Sequence, residues 1–218
     1  SRFTCPLVIR VPIGGGIRAL EHHSESMEAL YAHIPGLKVV IPSTPSDAKG
    51  LLIAAIRDPD PVIFFEPKRI YRAIKEHVPE KEYSIPLGQA KIVQEGTDIT
   101  LISWGAMVRE CQKAIEQVKN KVSCELLDLR TISPLDTETI VTSIQKTGRG
   151  VIVHEAPRSG GLAGEIIARV QEKAILHLKA PIARVTGFDT IMPYYQNEHN
   201  YLPNPQRIIQ AIDKVMLL

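Results

Sequence analysis

Short apolar runs and helix-spaced apolar stripes alternate along this chain in two series. Apolar runs bounded by proline, glycine or charge are typical of buried strands, and a period of 3.6 residues indicates a helix. The predicted strands are residues 7–11 (closed by Pro12), 37–41, 62–65, 99–103, 122–129, 151–153 and 182–185. The helical stripes lie in 24–31, 48–56, 108–118, 136–144, 162–170 and 208–215. This alternation predicts a mostly parallel α/β sheet with helices on both faces.

A charged, aperiodic stretch at residues 69–84 separates the two series. Its lysine, arginine and glutamate residues follow neither a strand period nor a helix period, which is typical of a linker. The sequence therefore predicts two units joined by this segment.

The composition narrows the class of protein. The 218 residues are 44% hydrophobic and 23% charged, with a formal net charge of +2. These values are ordinary for a globular protein, and no apolar run approaches the ~18 residues of a membrane helix. The small net charge gives no reason to expect nucleic acid as a partner. Three cysteines, none in a CxxC pair, suggest a reduced intracellular chain with buried thiols.

The beginning of the chain is unusual. It starts Ser1-Arg2-Phe3 without methionine and enters an apolar segment almost at once. A secretory signal would need a longer apolar region and a cleavage site. We therefore expect the sequence to be a piece cut from a longer polypeptide.

Two glycine-rich segments follow predicted strands. Gly14-Gly15-Gly16 with Ala19 matches the G-x-G-x-x-A pattern, but no helix starts there and no acidic residue ends the next strand. A loop that reaches into a site or an interface explains it better than a nicotinamide site does. The segment 159–164 precedes a helix, where free amides can hold an anion or a tight turn can let the helix pack closely.

His22 and His23, flanked by glutamates, are the most reactive-looking cluster. A neutral imidazole near a helix start can donate or accept a proton close to neutral pH. The competing interpretations are a zinc site, for which no further ligand has standard spacing, and ordinary surface polarity. Asp58 and Asp60, at a predicted helix end, are either ligands for a hard cation or solvated turn residues.

Taken together, several segments resemble the beta subunit of the thiamine-diphosphate-dependent 2-oxoacid dehydrogenases. In the first series they are the 7–16 segment, His23-Ser24, 33–40, 47–51 and 65–72. In the second series they are 127–136, His154-Glu155-Ala156 and Gly187-Phe188-Asp189-Thr190. The resemblance runs nearly end to end, and the combination is specific although each motif alone is not.

The resemblance implies a fold and a domain organisation. Residues 1–75 resemble the second half of a transketolase-like pyrimidine-binding domain, a partial parallel-sheet domain. Residues 84–218 resemble the transketolase C-terminal α/β domain. The first half of the pyrimidine-binding domain, with the glutamate that activates the cofactor, is absent from the sequence, so we expect the piece to be inactive alone.

The resemblance also implies an activity. It is the oxidative decarboxylation of pyruvate or a branched-chain 2-oxoacid and the reductive acylation of lipoyl groups, with thiamine diphosphate and magnesium shared with an alpha subunit. The other implied partners are a second beta subunit and the peripheral subunit-binding domain of the lipoyl acyltransferase. The implied location is the bacterial cytoplasm or the mitochondrial matrix. His23 aligns with a histidine that faces the cofactor, and its implied role is proton transfer when a lipoyl thiolate must be protonated.

Some relatives of this family hold a structural potassium ion at one corner of the beta subunit. The matching positions here are Leu7, Val8, Ala55, Asp58 and Asp60. Some of those relatives have threonine at Val8, cysteine at Ala55 and asparagine at Asp60, so Val8 can contribute only its carbonyl.

Two rival functions remain open on the sequence. One is a non-catalytic assembly module that docks the acyltransferase core, and the other is the C-terminal half of a transketolase-type or deoxyxylulose-phosphate synthase enzyme. The substrate is not readable, because its pocket is built largely from the alpha subunit and the absent N-terminal part. The 64–67 segment leans weakly towards the branched-chain enzymes.

Overall fold

A computed structural model of the chain describes residues 3–19 and 23–218. In chain order the strands are β1 (Val8–Ile13), β2 (Lys38–Val40), β3 (Val62–Pro67), β4 (Lys91–Gln94), β5 (Ile99–Ser103), β6 (Cys124–Asp128), β7 (Thr131–Ser133), β8 (Gly150–Val153) and β9 (Ala183–Val185). The helices are α1 (Glu28–Ala32), α2 (Pro45–Arg57), α3 (Ala106–Val118), α4 (Thr137–Thr147), α5 (Leu162–Ala174), α6 (Glu198–Tyr201) and α7 (Pro205–Met216). The described part of the chain contains no helix both long and apolar enough to cross a bilayer.

The first sheet has the strand order β1-β3-β2-β7. β1, β3 and β2 are parallel, and β7 pairs antiparallel with β2 although it comes from the second half of the sequence. The expectation that Pro12 closes β1 is wrong, because the strand continues to Ile13. Among the described residues β1 pairs on one side only, and an edge strand tolerates a residue that has no N–H to donate.

The second sheet has the order β4-β6-β5-β8-β9, parallel except for β4. α3 and α7 pack on one face and α4 and α5 on the other. The predicted α/β fold, with mostly parallel strands and helices on both faces of a sheet, is thus confirmed. β4 and β7, both antiparallel and short, had no strong apolar signal of their own.

Side-chain caps explain where the helices begin. Thr44 accepts a hydrogen bond from the Asp47 amide at 3.1 Å, Asp136 from Thr139 at 3.1 Å, and Asn204 from Arg207 at 3.0 Å. The helix expected from residue 24 begins only at Glu28, without a side-chain cap. The Glu25 carbonyl before it instead accepts a hydrogen bond from Gly14 at 3.0 Å, which holds this segment as a loop.

The charged 69–84 stretch has little regular structure, but the segment that includes its end packs along α2. The Tyr83 hydroxyl donates to the Ser46 carbonyl at 2.8 Å, and the Ile85 amide donates to the Gly50 carbonyl at 3.0 Å. Gly50 is required at this contact, because a Cβ there would lie 2.6 Å from the Ile85 side chain. The linker is therefore fastened to the first unit.

One apolar core joins both sheets. It includes Ile63 and Phe65 of β3, Ile102 of β5, Ile132 of β7 and Ile166 of α5, each at most 3% exposed. Of the three cysteines, Cys111 and Cys124 are buried as expected, whereas Cys5 before β1 is exposed. The contact between the two sheets, called the seam below, is also where residues 14–18 meet the second unit.

Candidate functional site at the seam between the sheets

His23 lies on the segment that connects β1 to α1. It is exposed, and the next residue, Ser24, is fully buried. The Gly14 amide donates to the Glu25 carbonyl at 3.0 Å, so the start of this segment is bonded to a residue two positions after His23. His22, for which no role was assigned, lies outside the described residues, as does any contact it makes.

The glycine loop, residues 14–18, is held by two carboxylates from the second unit. The Gly15 amide donates to Glu155 Oε2 at 2.8 Å, and the amides of Gly16 and Arg18 donate to the two oxygens of Glu198, the latter at 2.9 Å. Glu155 is the second residue after the carboxyl end of β8, and Glu198 opens the short helix α6. The sequence pattern therefore placed a loop at an interface correctly.

Close approach explains why these positions are glycine. Gly14 has φ +84°, and a Cβ there would lie 2.9 Å from Glu155 Oε2. A Cβ on Gly15 would lie 2.9 Å from Met192 Cε and 3.1 Å from Glu198 Oε1. The glycines serve the contact with protein carboxylates, which leaves no room for a dinucleotide pyrophosphate at these amides.

The carboxylates at this seam are buried close to one another. Burial, with smaller contributions from the charges of Glu28 and Glu198, raises the pKa of Glu155 to about 7, against the hydrogen bond from Gly15 and the charge of Arg69. Burial also raises the pKa of Glu28 above its usual value. The Glu28 carboxyl accepts a hydrogen bond from Trp104 Nε1 at 3.2 Å. The loop thus contacts a buried group of acidic side chains, and the positive charge of Arg69 acts on Glu155 in that group.

Trp104 and His154 form a stacked aromatic pair beneath the second glycine segment. Their ring centroids are 5.3 Å apart at an interplanar angle of 13°. Burial, together with the charge of Arg184, lowers the pKa of His154 to about 4, so its ring is neutral near pH 7. A Cβ on Gly161 would lie 2.8 Å from the His154 ring, which supports the tight-turn interpretation of the 159–164 segment.

The corner with the predicted potassium ligands contains a protein cation. Lys38 Nζ lies 2.6 and 2.7 Å from the two oxygens of Asp58 and 3.2 Å from Asp60 Oδ2. The Leu7 carbonyl accepts a hydrogen bond from Val62 at 2.8 Å, and the Ala55 carbonyl accepts one from Asp58 at 3.2 Å. Both side-chain carboxylates therefore already bind an ammonium group, and a metal cation here would use main-chain carbonyls or the carboxylate oxygens that Lys38 does not contact.

No three His, Cys, Asp or Glu side chains in residues 3–19 and 23–218 are grouped to hold a metal ion. A thiamine diphosphate needs its diphosphate bound through magnesium, and the described residues supply no such carboxylate group. These residues alone do not fit the complete cofactor.

Sequence reasoning proposed His23 and included Glu155 in a motif, but it did not name Glu198, Glu28 or Lys38, which the structure brings to these contacts. A polar residue just beyond a buried parallel strand, as Glu155 is two residues after β8, is the signal that was available. Glu198 carries no such signal in the sequence, because its partners Gly16 and Arg18 are 182 and 180 residues away.

Comparison with known proteins decides the family. The profile of the transketolase pyrimidine-binding domain matches residues 1–74, and that of the transketolase C-terminal domain matches residues 88–208. The pyruvate dehydrogenase E1 component subunit beta of Bacillus subtilis is 49% identical over 99% of this chain and 67% of its own length. This chain is a member of the 2-oxoacid dehydrogenase E1 beta family.

Other members of the E1 beta family agree with this assignment. The pyruvate dehydrogenase E1 component subunit beta of Acholeplasma laidlawii is 56% identical over 99% of this chain and 66% of its own length. The mitochondrial 2-oxoisovalerate dehydrogenase subunit beta of Dictyostelium discoideum is 53% identical over 100% of this chain and 59% of its length. These identities confirm the predicted family, and this chain spans about two thirds or less of the length of these relatives.

A solved structure supports the fold independently. A split-gene transketolase, described as an inactive beta4 tetramer, superposes with a TM-score of 0.79 over 97% of this chain and 66% of that one, at 20% identity. The predicted pyrimidine-binding-type and C-terminal-type architecture of the E1 beta chain is confirmed at the level of the fold.

Proposed function

We propose that this chain acts as the beta component of a 2-oxoacid dehydrogenase. The reaction is the oxidative decarboxylation of pyruvate or a branched-chain 2-oxoacid, followed by reductive acylation of a lipoyl group. The observation that carries the proposal is the identity of 49–56% over nearly the whole chain to relatives with these names. Those relatives include both pyruvate and 2-oxoisovalerate enzymes, so both substrate classes belong to the proposal.

The proposed assembly includes an alpha subunit, a second beta subunit and the peripheral subunit-binding domain of the acyltransferase, in the bacterial cytoplasm or the mitochondrial matrix. Thiamine diphosphate and magnesium would be shared with the alpha subunit. When bound, the cofactor would supply the chemistry that breaks the bond to the 2-oxoacid carboxylate.

Within this assembly, His23 is the proposed catalytic residue. Its exposure on a loop whose start is bonded to Glu25 suits a group that meets a mobile lipoyl arm. An imidazole can donate a proton to a lipoyl thiolate and be reprotonated from water near neutral pH. We propose that His23 performs this transfer during acylation and is not needed for decarboxylation.

The corner at Leu7, Val8, Ala55, Asp58 and Asp60 is the proposed potassium site. Because Lys38 occupies the side-chain carboxylates, main-chain carbonyls of this group would hold the ion. Its role would be structural, joining the start of β1 to the end of α2.

The deciding experiment is His23→Ala in the enzyme assembled with its alpha subunit. We expect decarboxylation with an artificial electron acceptor to stay within about twofold, and lipoyl acylation to fall by about 10²-fold or more. His33→Ala, which removes an exposed histidine at the end of α1, is the matched control and should preserve both activities.

The other outcomes of this experiment are informative. Equal loss of both half-reactions would remove the proposed role of His23. An assembly that binds the isolated peripheral domain but decarboxylates neither pyruvate nor 3-methyl-2-oxobutanoate would favour the docking module instead. The ratio of kcat/KM for those two acids identifies the substrate class.

A further inference from the structure

Two buried carboxylates at the seam are not explained by packing. Glu155 is 8% exposed and Glu198 is 4% exposed. Burying a carboxylate is costly unless hydrogen bonds to its charged form offset the lost hydration, and apolar residues of similar size often stabilise a core better. The groups that these two carboxylates bind should therefore explain why they are buried.

The backbone amides of the glycine loop are common to both carboxylates. Glu155 accepts from Gly15, and Glu198 accepts from Gly16 and Arg18. Three amides in five residues are thus bonded to side chains that come from 140 to 182 residues further along the chain. A loop held in this way is fixed in position relative to the second unit, because amides bonded to two carboxylates cannot shift without breaking several hydrogen bonds.

Arg69 packs against the same loop at Gly16. A Cβ on Gly16 would lie 2.5 Å from Arg69 Cδ, and the Arg69 guanidinium donates to Glu110 at 2.9 Å. Its positive charge also faces Glu155. The loop is therefore held between the carboxyl groups of Glu155 and Glu198 and the side chain of Arg69.

We propose that Glu155 and Glu198 are positioning residues that hold the glycine loop, and through it His23, in the place from which His23 transfers its proton. This inference rests on the proposed function, because it assigns the carboxylates to the acylation step. The connection is short: the loop begins at Gly14, whose amide binds the Glu25 carbonyl two residues beyond His23. A loop that moves by about 1 Å would misplace the imidazole, and misplacements of this size cost up to about 10²-fold in rate.

The test compares Glu155→Ala and Glu198→Ala with their glutamine counterparts in the assembled enzyme. Glutamine at 155 keeps an acceptor for Gly15, whereas glutamine at 198 keeps one acceptor for two amides. Amide hydrogen exchange of residues 14–18, followed by mass spectrometry, should accelerate about tenfold in both alanine variants. It should be nearly normal in Glu155→Gln and intermediate in Glu198→Gln.

Activity is measured on the same variants as the ratio of lipoyl acylation to decarboxylation with an artificial acceptor. We expect this ratio to fall about tenfold in the alanine variants and to recover in Glu155→Gln. Glu172→Ala, which removes an exposed carboxylate from α5, is the matched control and should change neither measurement.

Amide exchange and the activity ratio together separate the positioning role of the carboxylates from the proposed function of the chain. Unchanged exchange in both alanine variants would overturn the positioning role, whatever the activities are. Accelerated exchange with an unchanged ratio would overturn the link to His23. If the wild-type assembly shows no acylation at all, the proposed function fails, while the exchange data still decide whether the carboxylates hold the loop.

Discussion

At the scale of single residues, the burial of Glu155 links its ionisation to the stability of the fold. Its pKa is raised from 4.5 to about 7, mainly by burial. The folded protein therefore binds this proton more tightly than the unfolded chain does. The stability that the proton contributes is fully present below about pH 4.5 and is lost as the pH rises through about 7.

Glu155→Gln should remove this dependence, because glutamine keeps the acceptor for Gly15 but has no proton to lose. Between about pH 5 and about pH 8 we expect the free energy of unfolding of the wild type to fall by roughly 3 kcal/mol relative to that of the variant. Chemical denaturation at the two pH values measures this difference. The exposed Glu172→Gln should give a difference that does not vary with pH, and a similarly flat result for Glu155→Gln would contradict the prediction.

Also at the residue scale, the sequence indicated candidate residues better than it indicated their hydrogen-bond and ion-pair partners. The two histidines beside glutamates were a weak signal by themselves, and the family resemblance singled out His23, whereas the three glycines indicated a loop. The acceptor for Gly15 was not predictable, because Glu155 lies 140 residues away and only the packing of the second unit on the first brings it there. Lys38 was missed for a similar reason, since a lysine beginning an apolar strand gives no sign of what its ammonium contacts.

At the scale of elements, the corner between β1 and α2 combines a charged group with main-chain carbonyls. The hydrogen bonds to Asp58 and Asp60 raise the pKa of Lys38, against the opposing effect of burial. Lys38 is therefore a fixed cation here at neutral pH. A potassium ion held by the neighbouring carbonyls would add a second positive charge, and its binding would stabilise the fold in proportion to its affinity.

The melting temperature of the chain should accordingly be higher in potassium chloride than in choline chloride at equal ionic strength. The expected stabilisation is about 1 to 3 kcal/mol at potassium concentrations of ~10 to 100 times Kd. Lys38→Met frees the carboxylates of Asp58 and Asp60, so the difference between the two salts should grow in that variant. Equal melting temperatures of the wild type in both salts would contradict a potassium site.

Element prediction succeeded where burial was regular. The strands β5 and β8 are buried at every position, and the helices α3, α5 and α7 carry continuous apolar stripes, so their periods were visible in the sequence. β4 has exposed or half-exposed residues throughout, and β7 is three residues long. Neither offers enough of a pattern, since their pairing depends on the neighbouring strands β6 and β2.

At the scale of the whole molecule, β7 and the shared core join the two units. β7 follows β6 of the second sheet after two residues, yet it pairs with β2 of the first. The Asp47–Arg130 ion pair, at 3.3 Å and buried, crosses the same boundary. The sequence separated two units at the charged linker, but it contained no sign that a strand of one completes the sheet of the other.

This arrangement predicts that the two units unfold together. Ile132, 2% exposed in β7, packs in the core that both sheets share, so Ile132→Ala should lower the free energy of unfolding by about 2 to 4 kcal/mol. Trp104 is the only tryptophan of the chain, and it lies in that core. Its fluorescence and the far-ultraviolet circular dichroism should therefore report one coincident transition, in the wild type and in the variant.

The matched substitution is Ile92→Ala in β4, where the isoleucine is 45% exposed. It removes the same atoms from the second sheet alone, and because they are partly hydrated we expect a loss below about 1 kcal/mol. Two transitions that separate in Ile132→Ala, with fluorescence following only one of them, would show that the sheets are independent. A single transition shifted for both probes requires that the contact between the sheets, which also holds the glycine loop, is part of the cooperative fold.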